Sequence, residues 1–337
     1  AALLQLPLTR ELWTSVLTTR FGPDGAAAVD NLTSRGLLEW RALAGGKLAL
    51  AEPSPSGTGQ GHGSPIPNAF GCAQVTAVLE RSGALFTADL ARRLARADPP
   101  LSLPEIEQAL AELERAGAIA NDLLSRAGRW SLSAAPKLDI ETYLDALLKR
   151  YGLVCRELVA AEKPHGFRWA ELERQLQLWE WRGRVHRGDF VQDLSGPQFA
   201  LREAVDQLRE RPPLDRALLL AWADPANPWR ILPLAAPRGK GRFVVQLGGQ
   251  PLLTIGAFGR DVTPGPAWGD EHIPAAVEAL KELALHAAAG IASVETWRGG
   301  SIIVSPLAGP LKAAGFVRSG LRLVYRRPAL ARLDLAV

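Results

Sequence analysis

Cysteine occurs only at Cys72 and Cys155, and methionine not at all. Two cysteines exclude a disulfide framework and a Cys-x-x-Cys metal knuckle, so a reducing cytoplasm is the expected compartment. A chain of 337 residues without methionine is expected to be a piece of a longer protein. No apolar run approaches the roughly 18 residues that a membrane span needs, and Ala1-Ala2-Leu3-Leu4 has neither the basic region nor the cleavage site of a secretory leader. The phosphate-cradling pattern G-x-x-x-x-G-K-[ST] is missing, so no ATPase loop is expected in this chain. His165, His186, His272 and His286 show no ligand spacing, so neither a metal nor any other cofactor is expected here. Lysine is scarce: seven among 39 basic residues, leaving 32 arginines. Arginine is the better side chain for phosphate forks and base stacking. Because 35 acidic residues reduce the net charge to +4, a nucleic-acid surface must come from local clustering.

What is present is enough to bury: 47% of residues are hydrophobic and 22% charged, and the length exceeds one comfortable domain. Residues 52–66 are rich in Pro, Gly and Ser, as a flexible linker is. On either side lies a similar unit of helices followed by a short apolar hairpin. Before the linker (residues 1–51), helices are expected over Arg10 to Thr19 and Asp24 to Ser34, then strands at Leu37 to Trp40 and Lys47 to Leu50. After it (67–135), Cys72 to Arg81 reads as a helix and Thr87 as the N-cap of a second through Arg96. Ser102 with Glu105 forms a capping box that opens a third, ended by Gly117 before the strands Ala118-Ile119 and Arg129 to Leu132. A third copy (136–211) has helices at Ile140 to Tyr151, Arg156 to Ala161 and Phe167 to Trp181, then a hairpin ending in Gln198 to Leu201. Helices with a terminal β-wing, three times over, indicate tandem winged helices. Residues 212–337 read differently: strands at Leu218 to Trp222, Phe243 to Leu247, Leu252 to Ile255, Ser301 to Val304 and Leu321 to Arg326, with helices at Pro274 to Ala289 and Pro306 to Ala314. The expected class is α+β, three winged helices followed by a β-rich, barrel-like domain.

Leu147 to Glu157, Arg187-Gly188-Asp189-Phe190-Val191, Gly196 to Leu201 and Asp224-Pro225-Ala226-Asn227-Pro228 resemble the C-terminal region of large helicase-related (Lhr) proteins. So do Ser305-Pro306-Leu307, Ala314-Gly315-Phe316 and Gly320 to Leu323. The resemblance covers about 140 to 325 and is only architectural before that. One departure lies at Trp229 to Leu234, where the family favours glycine and a Leu-Pro-Trp-Pro run. Lhr proteins are superfamily 2 DNA helicases whose C-terminal extension is similar to winged-helix DNA glycosylases and has been associated with uracil removal. The resemblance implies DNA as partner, an upstream helicase core that would use ATP and Mg2+, and a homo-oligomer as a further option. Asp270-Glu271-His272 looks like a helicase box, but it follows no apolar strand and suits an acidic helix start.

In the third unit Arg168, Trp169, Arg174, Gln175, Gln177, Trp179, Trp181 and Arg182 lead into Arg184, His186 and Arg187 on the wing. Arginines interleaved with aromatics suit single-stranded nucleic acid. The competing reading makes Leu172, Leu176 and Trp179 a core stripe and balances the arginines against Glu171, Glu173 and Glu180. Gln175-Leu176-Gln177 copies the Gln-x-Gln element of alkylpurine glycosylases, but mid-helix the two amides point about 200° apart. The long helix of the second unit carries Glu105, Glu107, Glu112 and Glu114 and would repel phosphates, so packing or a protein partner is its expected role.

In the last domain Arg318, Arg322, Arg326 and Arg327 form a basic strand end, with Leu321, Leu323 and Tyr325 on the opposite face. Arg238, Lys240 and Arg242 form a basic loop. Glycosylase chemistry needs an extruded base and a carboxylate. Asp224 is the motif-borne candidate and Asn227 its base-edge partner, against a plain Asx-turn reading. Asp334 in the tail is the second candidate, with Asp270 and Glu271 behind. Three functions stand: a DNA-binding accessory region contacting single-stranded or junction DNA, a uracil-DNA glycosylase, and a protein assembly module.

Overall fold

A computed structural model describes residues 3–53, 66–133, 139–162, 167–192, 194–210, 216–230, 241–256, 259–286 and 290–327. The linker at 54–65, Arg238, Lys240, residues 231–234, His165 and Asp334 lie outside the described residues. By contacts the chain divides into one unit of residues 1–14 and 26–211 and another of 15–25 and 212–337.

In the first unit one strand plan recurs. The opening copy has β1 (Leu8–Thr9), α1 (Arg10–Phe21), α2 (Gly25–Ser34), β2 (Glu39–Leu43) and β3 (Lys47–Ala51). The second has α3 (Cys72–Ser82), β4 (Leu85–Phe86), α4 (Thr87–Leu94), α5 (Leu103–Ala116), β5 (Ile119–Asn121) and β6 (Arg129–Leu132). The third has α6 (Ile140–Tyr151), β7 (Leu153–Val154), α7 (Arg156–Glu162), α8 (Trp169–Trp181), β8 (Val185–Gly188) and β9 (Gln198–Leu201), followed by α9 (Arg202–Glu210). Each sheet places its last strand in the middle: β1-β3-β2, β4-β6-β5 and β7-β9-β8. A short strand ahead of the helix pair thus docks on the returning wing strand, which fixes the wing against the helices.

Local chemistry sets the boundaries. Glu105 accepts the Ser102 backbone N–H at 2.8 Å and its hydroxyl at 2.6 Å, closing the expected capping box of α5. These bonds hold the Glu105 carboxyl below its ordinary range. Thr87 is not the N-cap expected of it: Phe86 takes that position, and the Thr87 hydroxyl accepts Trp130 Nε1–H at 3.0 Å. Gly117 ends α5 with φ 81°, and a Cβ there would lie 2.9 Å from the backbone of Leu43 and Ala44. Only glycine allows the first unit's hairpin to approach so closely. Cys72 and Cys155 are free and buried, and burial pushes the Cys155 thiol up to about 11.

The acidic α5 serves packing, as expected. Glu114 is 4% exposed, and Arg10 and Arg126 both pair with it; Arg10 Nε donates at 3.1 Å. Arg10 also reaches the Leu123 and Leu124 carbonyls at 3.0 and 2.6 Å. Around this node Gly45 N–H bonds Arg115 O at 2.9 Å and Ala42 N–H bonds Ser133 Oγ at 3.0 Å, which couples the first two copies.

The second unit begins with β10 (Leu218–Ala221), β11 (Phe243–Leu247), β12 (Gln250–Gly256) and β13 (Asp261–Pro264), then α10 (Ile273–His286). β14 (Ile291–Val294), β15 (Thr296–Trp297), β16 (Gly300–Ser301), α11 (Ala308–Ala313), β17 (Val317–Ser319) and β18 (Arg322–Arg326) follow. The larger sheet runs β10-β11-β12-β13-β15-β16 and the smaller β14-β18-β17, with α10 touching β10, β14 and β18. No pairing among the described residues closes either sheet into the expected barrel. Two expectations are corrected. Residues Ile302–Val304 form a 3-10 turn, not a strand, because Ser301 Oγ accepts Ile303 N–H and caps it. Leu321 sits in the hairpin turn 75% exposed, so only Leu323 and Tyr325 of that face turn inward. No described helix is long and apolar enough to cross a membrane.

Truncating Glu114 leaves Arg10 buried without its counter-charge, so Glu114→Ala should lower the unfolding free energy by about 3 kcal/mol. Urea titration checks this; a loss below about 0.5 kcal/mol, the scale of a solvated pair, contradicts it.

Candidate nucleic-acid interface

Helix α8 buries Leu172, Leu176 and Trp179 and packs on α6, whose Leu144 and Leu147 are buried as well. The opposite face is solvated: Arg174, Gln177, Leu178, Trp181 and Arg182 are exposed, recurring at helical spacing along one stripe. Trp181 is 93% exposed and Leu178 46%. In a winged helix this is the face that meets a groove. His186 and Arg187 on β8 are exposed at the next position along the chain.

A buried amide positions the wing. Gln198, 1% exposed, accepts Phe190 N–H at 3.0 Å and Val191 N–H at 2.8 Å through Oε1, while Nε2 donates to Val191 O at 2.9 Å. Ser195 Oγ donates to Glu157 at 3.0 Å. Behind α6, Arg150 and Glu162, each side chain 2% exposed, pair at 3.0 Å, and Arg150 also bonds Leu4 O at 2.7 Å. Sequence reading missed this support because both residues come from elements that look amphipathic and solvated.

The named arginines divide by partner. Arg184 is committed: it pairs with Asp145 at 2.5 Å and lies 3.8 Å over the Trp179 ring. Arg168 precedes α8, is 86% exposed, and lies 3.4 Å from Glu171, which also accepts the Arg168 backbone N–H. Arg182 and Arg187 make no ion pair among the described residues. Gln175 bonds Glu141 at 2.9 Å while Gln177 faces solvent, so the two amides diverge.

In the second unit Asp224 is fully buried. Arg20 Nε donates to its Oδ2 at 2.8 Å, Arg20 Nη2 to Oδ1 at 2.7 Å, and Ala226 N–H to Oδ1 at 2.7 Å. The bond to Asp224 holds Arg20 above its ordinary value despite burial. Asn227 is 2% exposed; it donates to Trp222 O at 3.0 Å and accepts Trp229 N–H at 3.1 Å. Both side chains are spent inside the loop, which is the geometry of an Asx turn locked by an arginine. Nothing in the sequence links Arg20 to a loop some two hundred residues on.

Arg322 Nε lies 3.1 Å from Glu295, which Arg260 also approaches at 3.7 Å. Arg318 donates to Gly320 O at 3.1 Å with its side chain at the surface, and Arg326 is exposed. Arg242 lies against Gly256, where a Cβ would come within 2.0 Å of its guanidinium. Asp270 and Glu271 open a 3-10 turn ahead of α10, the helix-start geometry expected of them. No cluster that could hold a metal occurs among the described residues.

The Streptomyces sahachiroi DNA glycosylase AlkZ superposes with a TM-score of 0.53 over 83% of this chain and 88% of its own, at 16% identity, a likeness of fold alone. Residues 133–217 match the family model of the large helicase-related protein winged-helix domain. A segment of 153 residues is 36% identical to the Escherichia coli K12 Lhr helicase/uracil glycosylase, covering 40% of this chain. One of 161 residues is 40% identical to the Mycolicibacterium smegmatis Lhr helicase/ probable uracil glycosylase, covering 39%. The matched segment spans about a tenth of either relative's length. The resemblance read from the third winged-helix copy therefore holds.

Removing one partner of a desolvated pair strands the other, so Asp224→Ala should destabilise the second unit by about 3–5 kcal/mol. Arg20→Ala/Asp224→Ala together should lose less than the sum of the single changes; strictly additive losses in denaturant titrations would exclude the coupling.

Proposed function

We propose that this chain is a DNA-binding accessory region of an Lhr-type helicase, contacting single-stranded or junction DNA beside an upstream motor that uses ATP and Mg2+. The observation that carries it is the exposed tryptophan at the end of α8, 93% in solvent, with Arg182 next to it and Arg174 and Leu178 on the same stripe. An aromatic ring held out by a helix, near cations that make no ion pair among the described residues, suits base stacking beside phosphate contacts. Gln177 can read a base edge, and Arg187 extends the cationic line onto the wing.

Binding titrations with a fluorescent single strand at several salt concentrations test this. Trp181→Ala should weaken binding by about 1–3 kcal/mol, the scale of one stacked base, with little change in salt slope. Arg187→Ala should weaken all sequences alike and flatten the slope of log affinity against log salt by about 0.7. Affinity unmoved by both changes contradicts the assignment.

Uracil excision is a second reading, supported by the names of the two relatives and the glycosylase-like fold. With Asp224 engaged by Arg20, Asp334 is the candidate carboxylate it leaves from the original pair. Alkali-labile cleavage confined to a uracil in a labelled strand, lost in Asp334→Ala, is the expected result; binding without cleavage removes the reading for this chain. Assembly through a neighbouring copy is the third, supported by how the first unit already uses the acidic α5 for protein contact.

A further inference from the structure

Along one edge of α10 in the second unit runs a cleft of about 740 Å3, within the size range of small-molecule sites. Arg216, just ahead of β10, Tyr325 on β18 and Arg327 beyond it complete the walls. Its floor is shallow in side chain: Ala279 is buried and contributes only a methyl group. At the rim Lys281 pairs with Glu278 at 3.1 Å and holds its ammonium 5.8 Å from the Tyr325 ring centre. Those two charges cancel. Arg216 and Arg327 make no ion pair among the described residues, and the remaining carboxylate is Glu282.

Glu282 is half-buried, and burial raises its carboxyl above the ordinary range, with Arg216 pulling the other way. It has no hydrogen-bond partner among the described residues. Together with Arg216 it also lines an adjoining cleft of about 300 Å3 along Leu218, Leu219 and Leu220. A half-buried carboxyl whose pKa burial raises therefore stands at the junction of two clefts, beside an alanine floor, an aromatic wall and two arginines that make no ion pair among the described residues.

We infer that this cleft holds one nucleotide unit, the base lying on the Ala279 floor beside Tyr325, the phosphate between Arg216 and Arg327, and Glu282 hydrogen-bonded to the base edge. A neutral sugar would leave the arginines unpaired, and a lipid chain would bury Glu282 without a partner. Arginine forks match phosphate oxygens in shape as well as charge. The site lies in the other unit from α8 and does not depend on the tryptophan face. The same nucleotide chemistry could arrive free or as an extruded unit of a strand.

Calorimetric titration of the full chain with deoxyuridine 5′-monophosphate, with deoxyuridine, and with a twelve-residue single strand separates these sources. Arg216→Ala at the surface and Ala279→Leu on the floor are the test variants, with Trp181→Ala alongside. For a free ligand, the monophosphate binds about tenfold tighter than deoxyuridine, and Arg216→Ala and Ala279→Leu each remove at least that factor. For an extruded unit, the monophosphate is silent while strand affinity falls about tenfold in Arg216→Ala, with a further independent loss on adding Trp181→Ala. A monophosphate that does not bind, together with strand binding lost in Trp181→Ala yet unchanged in Arg216→Ala, overturns the site and leaves the α8 interface standing. No binding of any probe overturns it as well. Because Arg216 is exposed, its replacement separates recognition from folding even if Ala279→Leu is unstable.

Discussion

Taking a carboxylate out of water costs several kcal/mol unless a cation and hydrogen bonds come with it, and this constraint organises the chain at three places. Asp224 is desolvated with Arg20, Glu114 with Arg10 and Arg126, and Glu162 with Arg150. In each, the partner arginine comes from another element, and in two the same arginine goes on to a backbone carbonyl. A pair of this kind tolerates little displacement. It therefore fixes the position of whatever is built upon it: the wing contacts of the first unit, the base of α6 behind the interface helix, and the loop after β10.

Seen against those anchors, the arginines sort into two populations. Arg10, Arg20, Arg150 and Arg184 are structural, held by carboxylates or lying on an aromatic face. Arg174, Arg182 and Arg187 project into solvent, as does Trp181. The distinction matters for a chain with a net charge of only +4, where function must come from cations that no carboxylate has claimed. The second unit repeats the sorting on a smaller scale: Arg322 is drawn to Glu295, while Arg216 and Arg327 flank an open cleft.

The second winged copy shows why a shared fold need not mean a shared role. Its long helix is as well capped as α8 or better, yet it presents carboxylates where α8 presents arginines and a tryptophan. One of those carboxylates is consumed in docking the first copy. Repetition of a fold supplies surfaces, and side-chain charge decides which of them meets phosphate and which meets protein.

Much of this was legible in the residues themselves. Helix and wing boundaries follow from hydrophobic period, the Ser102–Glu105 box and the glycine after α5, all set by interactions within a few residues. The Lhr-type third unit could be read from its motifs, and the exposed stripe of α8 from its spacing against Leu172, Leu176 and Trp179. Tertiary structure decided what depends on distant partners. Asp224 and Asn227 are turned inward because Arg20, Trp222 and Trp229 meet them there; Arg184 is withdrawn by Asp145 and Trp179; and Glu282, unremarkable as one glutamate on a helix, gains its raised carboxyl from burial. Local sequence carries periodicity and capping, whereas desolvation and charge pairing exist only once separate segments are brought together.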